Sequence, residues 1–514
     1  MRRNGIRRRP PALLLGAAAA VSAATLLPLY YLGDRALARG WAFVADELLQ
    51  QRTIALVGRS LLLVVVVTAG CVVLGVGFAV LLSRTDLPFR RLFGVVLALP
   101  LAIPSYLLAF LWLSVQPAVA GFWGACLVLV LGCYPYVLLT TTAALNRMDP
   151  AHEEVARSLG LSGVAVLFRV TLRRVRAAVA AGALLVALYV ISDFGAVAAM
   201  RYEVFTWVIY GAYRSGFNPS RAAVLSLVLM VFALVLVVLE GRARGRAAAY
   251  RVGGGSARPA PVAALGPWWP VATAAVLTVI TAALVVPVIA LADWLLDAGA
   301  RWDAGQWSAA VGATLWLSAV AAVVCTIAAV PLGVLVARYR SPVTRTLEGA
   351  SYVAHGLPGI VIAIAMVSVG VAALRPLYQR EPLLILAYAV LLVPVAVGSV
   401  RAAIEATPVR HEEVARSLGR GPFAAFAAIT ARGAAPGIAA GAALVLLTCM
   451  KELPITLLLR PTGTDTMATR LWTYSSVSDY ASAAPYAAAL VILAALPTAA
   501  LGLWSAQVVE VRDT

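Results

Sequence analysis

Charge is what this sequence has least of. Asp, Glu, Lys and Arg make up 12% of its 514 residues, where a soluble chain carries about a quarter. Its single lysine, Lys451, is not part of a GxxxxGK[ST] phosphate loop, so the chain offers no such motif for nucleotide chemistry of its own. The five cysteines, Cys71, Cys126, Cys133, Cys325 and Cys449, lie in apolar runs without metal-ligand spacing. They read as small core hydrophobes, and neither a metal site nor a catalytic residue is assigned.

Unbroken apolar runs are abundant instead: Leu61–Leu82, Leu92–Val115, Phe122–Leu139, Ala222–Leu239, Val271–Leu291, Leu315–Val336 and Tyr486–Leu503. Crossing a bilayer as helix takes roughly 20 residues. A barrel would show alternating strands of about ten residues instead. The sequence is therefore an all-α polytopic membrane protein, with lipid as its surroundings.

The formal charge of +18 follows topology and does not point to nucleic acid. Arg2, Arg3, Arg7, Arg8 and Arg9 precede the first apolar run and place the N-terminus in the cytoplasm. The clusters at Arg84–Arg91, Arg147–Arg176, Arg242–Arg258, Arg338–Arg345 and Arg401–Arg432 then fall mostly on that same side. The loops around Asp34, Tyr202, Asp303 and Asp465 are less basic. The opening segment also resembles a cleaved signal peptide, but apolar sequence continues through Tyr31, which favours a retained span.

The chain repeats itself. HEEVARSLG runs from His152 to Gly160 and again from His411 to Gly419. Upstream, Cys71 matches Cys325, Arg84 matches Arg338, Pro88 matches Pro342 and Pro104 matches Pro358, all at an offset of 254. An insertion around Ala372–Pro382 raises the offset to 259, at which Pro135 matches Pro394, Gly182 matches Gly441 and Asp193 matches Glu452. Two homologous halves therefore stand in tandem.

Spans are expected near 11–32, 54–83, 92–115, 119–142, 177–199 and 219–240, then near 268–294, 308–337, 350–372, 383–401, 437–459 and 483–507. About twelve spans with an even number per half give both halves one orientation, a parallel repeat with both termini cytoplasmic. The chain then divides into a tail, first span and external loop (1–53), a first core (54–240) with cytoplasmic loop 143–176, and a basic linker (241–267). A seventh span with external loop (268–307) and a second core (308–514) with cytoplasmic loop 402–435 complete it.

Both copies of the motif sit in the longest cytoplasmic loop of their half. Asp149-Pro150 and Thr407-Pro408 are helix starts, a cap followed by proline. Glu153 and Arg157 are four apart, as are Glu412 and Arg416, so each pair can support the helix on its exposed side. Val155, Ala156 and Leu159 supply a small apolar contact face, and Gly160 and Gly419 end the helix. New helices are expected near Ser162 and Pro422. Two such plugs imply a partner with two equivalent grooves, most simply a twofold dimer.

The spacing Glu154–Val155–Ala156–x–x–x–Gly160, followed by Phe168 and Thr171, resembles the EAA loop of ABC-importer permeases of the type I, binding-protein-dependent transport family. Glu413–Val414–Ala415–x–x–x–Gly419 through Pro436 is more similar still. Valine replaces the middle alanine in both copies, and Arg173 and Arg432 stand where proline is common; neither removes the small apolar face. The resemblance spans nearly the whole chain. It implies the type I permease fold and a location in the bacterial cytoplasmic membrane. It further implies coupling loops, here Glu153, Glu154, Ala156, Arg157, Gly160 and Glu412, Glu413, Ala415, Arg416, Gly419, that dock on a homodimer of ATP-binding subunits. ATP and Mg would be bound by that partner and no cofactor by this chain. An extracytoplasmic solute-binding protein would deliver the cargo, and transport would proceed by alternating access.

Charges within apolar sequence mark a path, a pairing or a helix end. Asp193 in SDFGAVA and Lys451 and Glu452 in KELPITLLLRP are candidates for the translocation path or gate. Alternatively, Lys451 and Glu452 neutralise each other while Asp193 caps a kink before Gly195. The fused halves with these two motifs resemble the ferric-iron branch of the family. Thiamine, polyamine and phosphonate permeases remain alternatives, as does an ion-coupled secondary transporter; a membrane scaffold is a third class.

Overall fold

In a bilayer a spanning segment must satisfy its own backbone, which this chain does with helices. The computed structural model describes residues 10–248, 262–297, 302–339 and 341–510. Among the described residues every regular element is helical, apart from one isolated bridge between Thr85 and Ala263. Nine helices there are long and apolar enough to cross a membrane, or ten if Arg90–Ala102 and Ser105–Val115 count as one broken span. Gly359–Ala372 and Tyr480–Ala495 are shorter apolar helices.

The expected third spans are not straight. Arg90–Ala102 and Ser105–Val115 meet at 95°, because Pro104 forces Ile103 into an extended conformation. In the second half the break falls between Pro342–His355 and Gly359–Ala372, again at the matching proline, Pro358. The fifth spans also end earlier than expected, at Ser192 and Met450, and begin at Gly163 and Pro422, inside the loops that carry the repeated motif. A separate short helix succeeds each of them, Gly195–Ala199 in the first half and Pro454–Leu459 in the second.

Contacts sort the chain into two compact units that do not follow the sequence repeat. One holds Met1–Glu47, Ala212–Met230 and Asp303–Arg470; the other holds Leu48–Gly211, Val231–Trp302 and Leu471–Thr514. The first span is thus grouped with the second core, and the seventh with the first. In the first unit Ala304–Arg338 packs on Glu381–Glu405 and Arg432–Met450. The helix Ala12–Leu37 joins them through a stripe of mostly small buried residues, Ala18, Ser22, Thr25, Pro28, Leu32 and Ala36. Small residues let helices approach closely in lipid, and Ser22 Oγ donates to the Leu347 carbonyl at 3.1 Å. Asp303 caps Ala304–Arg338 by accepting from the Gly305 and Gln306 amides at 2.9 and 3.1 Å. Those bonds, from Gln306 above all, hold its carboxyl below the usual range.

In the second unit Gln51–Arg84 packs on Phe122–Asn146 and Leu172–Ser192, and Val286–Asp297 packs on Ser105–Val115 and the helix beginning at Tyr480. Trp294 stacks on Tyr480 with centroids 4.6 Å apart and donates from Nε1 to Ser114 Oγ at 3.0 Å. The repeat is visible in the packing within each unit. A Cβ on Gly182 would lie 2.5 Å from Thr140 Oγ1, and one on the matching Gly441 would overlap Ser399.

The N-terminal arginine cluster and linker residues 249–261 lie outside the described residues. The helix Pro219–Ala248 carries the chain into the linker. At the far end the linker is pinned: Ala263 N–H donates to the Arg84 carbonyl at 2.9 Å, and Leu265 N–H to Asp86 Oδ1 at 2.8 Å.

Candidate coupling site

Each copy of HEEVARSLG folds as one short helix closed by glycine. The first helix is Ala151–Ser158, where Asp149 Oδ1 accepts from the Ala151 amide at 3.0 Å. The second is Val409–Ser417, preceded by Pro408 in an extended conformation. Gly160 and Gly419 have φ of +85° and +88°, a conformation that glycine adopts without steric cost. Their amides donate to the Arg157 and Arg416 carbonyls at 2.9 and 3.0 Å, and the next amides, Leu161 and Arg420, reach back to Ala156 and Ala415, both at 3.2 Å. This pair of bonds is the Schellman closure, which satisfies carbonyls that a helix end leaves open. Ser162 then caps the next helix, accepting from the Ala165 amide at 3.4 Å.

The helix turns a different face inward than its internal pairing suggests. Glu153 does not support Arg157 on the exposed side; it is buried, and its Oε1 accepts from Arg84 Nε at 3.1 Å and from Thr171 Oγ1 at 2.9 Å. Glu412 likewise accepts from Arg338 Nη2 at 2.7 Å and from the Thr430 hydroxyl. A surface i,i+4 pair is worth about 0.2–0.5 kcal/mol, whereas hydrogen bonds to a charged group contribute about 1.5–3 kcal/mol. The inward pairing wins. Ala156 and Ala415 are buried on the same stripe and so do not belong to the contact face.

The surface left outside is the same in both copies. Val155 and Leu159 are 56% and 78% exposed, and Val414 and Leu418 are 58% and 80% exposed. Beside them His152, Glu154 and Arg157, and His411, Glu413 and Arg416, are exposed. Val164, Phe168 and Phe423 extend the apolar surface. Repeated exposed apolar residues rimmed by charge mark an interaction surface.

In the sequence Arg84 and Arg338 stand out only as landmarks of the repeat, not as partners of the motif. The available signal was an arginine at the end of each long apolar helix, held at matched positions. A second feature is conformational: Leu167–Thr171 and Phe426–Ala431 are π-helical in both copies. Such a bulge is rare and recurs at functional positions; here it holds the threonine that reaches the glutamate.

The intramembrane carboxyls are held as helix starts. Asp193 is buried, accepts from the Ala196 and Val197 amides at 2.9 and 3.4 Å, and receives the Ser105 hydroxyl. Glu452, half-buried, accepts from the Ile455 and Thr456 amides at 2.9 and 3.3 Å. Lys451 is half-buried and closes the preceding helix Arg432–Met450. The residue matching Ser105 is Gly359, and a Cβ there would stand 2.6 Å from Glu452 Oε1. The first half therefore pairs a short carboxyl with serine, the second a longer carboxyl with glycine. Beside Asp193, Phe194 packs with Trp207, Tyr210 and Trp472 at centroid separations of 6.2, 5.0 and 5.4 Å. Among the described residues no three His, Cys, Asp or Glu side chains are grouped as a metal site.

Duplicated spans, duplicated short helices with matching exposed faces and a common inward anchor define a duplicated helical membrane permease. Residues 71–240 and 329–512 match the family described as the binding-protein-dependent transport system inner membrane component. The chain belongs to that family, and it is a multi-pass inner-membrane permease of the ABC type. It is 34% identical over 494 residues, 95% of this chain and 98% of the relative, to the Fe(3+)-transport system permease protein FbpB 2 of Haemophilus influenzae. Over 125 residues, 23% of this chain and 48% of the relative, it is 35% identical to the spermidine/putrescine transport system permease protein PotC of the same organism. Over 234 residues, 42% and 86% of the two chains, it is 28% identical to a probable molybdenum ABC transporter permease of Haloferax volcanii.

Proposed function

We propose that this chain carries ferric iron across the membrane as the permease of an ATP-driven importer. The observation that supports the cargo is full-length similarity to a relative named for Fe(3+) transport; the polyamine-permease relative is matched over a quarter of this chain or less. The plugs support the drive. Two equivalent exposed surfaces, one per half, suit two copies of an ATP-binding subunit, which would hold ATP and Mg and perform the hydrolysis. An extracytoplasmic binding protein would deliver the iron to the opposite face. Closure of the ATPase dimer, transmitted through the plugs, would switch the two cores between inward and outward access. Both termini and both plugs would lie in the cytoplasm.

A strain lacking this chain tests the cargo directly. Ferric uptake falls and returns with the wild-type chain, while thiamine and spermidine uptake are unchanged. Unchanged ferric uptake alongside lost uptake of one of the others overturns the iron assignment.

A further inference from the structure

The geometry points to Arg84–Glu153–Thr171 and Arg338–Glu412–Thr430 as two latches that lock each plug to its core, so that movement imposed on the plug reaches three helices at once. This rests on the coupling role proposed above.

The plug Ala151–Ser158 is joined to its neighbours in sequence by a turn at 147–150 and by the left-handed glycine Gly160. Both joints could act as hinges, and a push on the exposed face would then be lost in rotation of the short helix. The latch removes that freedom. Arg84 ends Gln51–Arg84, a helix remote in sequence, and its guanidinium reaches Glu153 through Nε at 3.1 Å and the Leu145 carbonyl through Nη2 at 3.0 Å. Leu145 is in the last turn of Phe122–Asn146, and its carbonyl also accepts the Met148 amide at 3.3 Å, so Arg84 joins the closing turn of that helix. Thr171, at the end of the π segment, fixes the same carboxylate oxygen to the start of Leu172–Ser192. One carboxylate thus ties the plug to all three packed helices of that core.

The second half repeats the latch with a closer ion pair but with fewer ties and more exposure. Arg338 Nη2 reaches both Glu412 and Thr430, the latter at 3.1 Å, but Arg338 Nε has no hydrogen-bond partner. The side chains of Arg84 and Glu153 are 8% and 2% exposed, those of Arg338 and Glu412 14% and 19%. The two latches are therefore unequal, and the first holds its plug more firmly.

The latch residues do not touch the partner surface; they position it. Their loss should leave docking intact and disconnect hydrolysis from transport. The test uses the full chain purified with its ATP-binding subunits and reconstituted in liposomes, with ferric iron on its binding protein as the probe. For E153Q/E412Q, which is nearly isosteric, iron imported per ATP hydrolysed falls about ten-fold, because losing one partner of a buried pair leaves the other uncompensated. E153Q alone lowers the ratio more than E412Q alone. T171V/T430V keeps both ion pairs and removes only the hydroxyl bond to each carboxylate, so it lowers the ratio less, by about three-fold. A merely structural defect lowers import and hydrolysis together and leaves their ratio unchanged; that result, or a wild-type ratio in both double variants, overturns the latch. A wild-type chain that binds the ATPase but imports another cargo refutes the iron assignment alone, and the same ratio is then read with that cargo.

Discussion

Exchanging the carboxyl–partner pairs between the two halves is the sharpest perturbation of the membrane-embedded residues. In the second half Glu452 Oε2 holds the Ile455 and Thr456 amides, while Oε1 fills the space beside Gly359. In G359S the new Cβ would stand 2.6 Å from Oε1, about an ångström inside ordinary contact. The carboxyl can swing away only by disturbing the amides it caps, and losing such a cap costs about 0.5–2 kcal/mol. In E452D the shorter side chain keeps a capping geometry, as Asp193 shows, but vacates the space beside Gly359; removing one methylene from a packed site costs about 0.5–1.5 kcal/mol. The double variant G359S/E452D rebuilds the Ser105–Asp193 arrangement of the first half, so its loss should be smaller than either single loss. The assay is a double-mutant cycle on unfolding in detergent, with a coupling of about 1–2 kcal/mol expected in favour of the pair. If the two single effects add to within about 0.5 kcal/mol, the two carboxyls are not size-matched to their partners and this reading of the site is refuted.

Other consequences concern the repeated motif and the packing of the cores. L159D/L418D places charge on the exposed apolar ridge without touching the core and should weaken ATPase binding by about 2–4 kcal/mol, measured by co-purification, with the unfolding transition unchanged. G182V forces a branched side chain against Thr140 and should destabilise the fold by about 1–3 kcal/mol, as should G441V against Ser399; thermal unfolding reads both. H152C and H411C, introduced singly, should each react with an impermeant thiol reagent only from the cytoplasmic side, whereas the buried native cysteines stay unlabelled in the folded protein.

Much of this was legible in the sequence. The duplicated motif, the paired prolines and the matched glycines located the halves and the plugs, because helix caps and breaks are local chemistry. Gly160 and Gly419 ended their helices as the residue type dictates. The inward turn of Glu153 was not legible, because within the helix an exposed pair with Arg157 satisfied the spacing rule equally well; Arg84, 69 residues earlier, decided it. The grouping of each half's first span with the other core was also hidden. A lipid-facing helix shows only that it is apolar, and the stripe from Ala18 to Ala36 names no partner. Pro104 and Pro358 were visible as a matched pair, yet a continuous apolar run masked the breaks they impose. Asp193 and Glu452 were visible as exceptions in apolar sequence, but their second partners, Ser105 and Gly359, are distant in the chain and carry no signal of their own.

Whether the plugs drive iron across the membrane is decided by uptake into liposomes containing this chain and its ATP-binding subunits, with ferric binding protein outside and ATP enclosed. Uptake should require ATP and the binding protein and should disappear in L159D/L418D. Iron entry that is unchanged without ATP, or unaffected when the plugs can no longer dock, would contradict a permease driven through its two plugs.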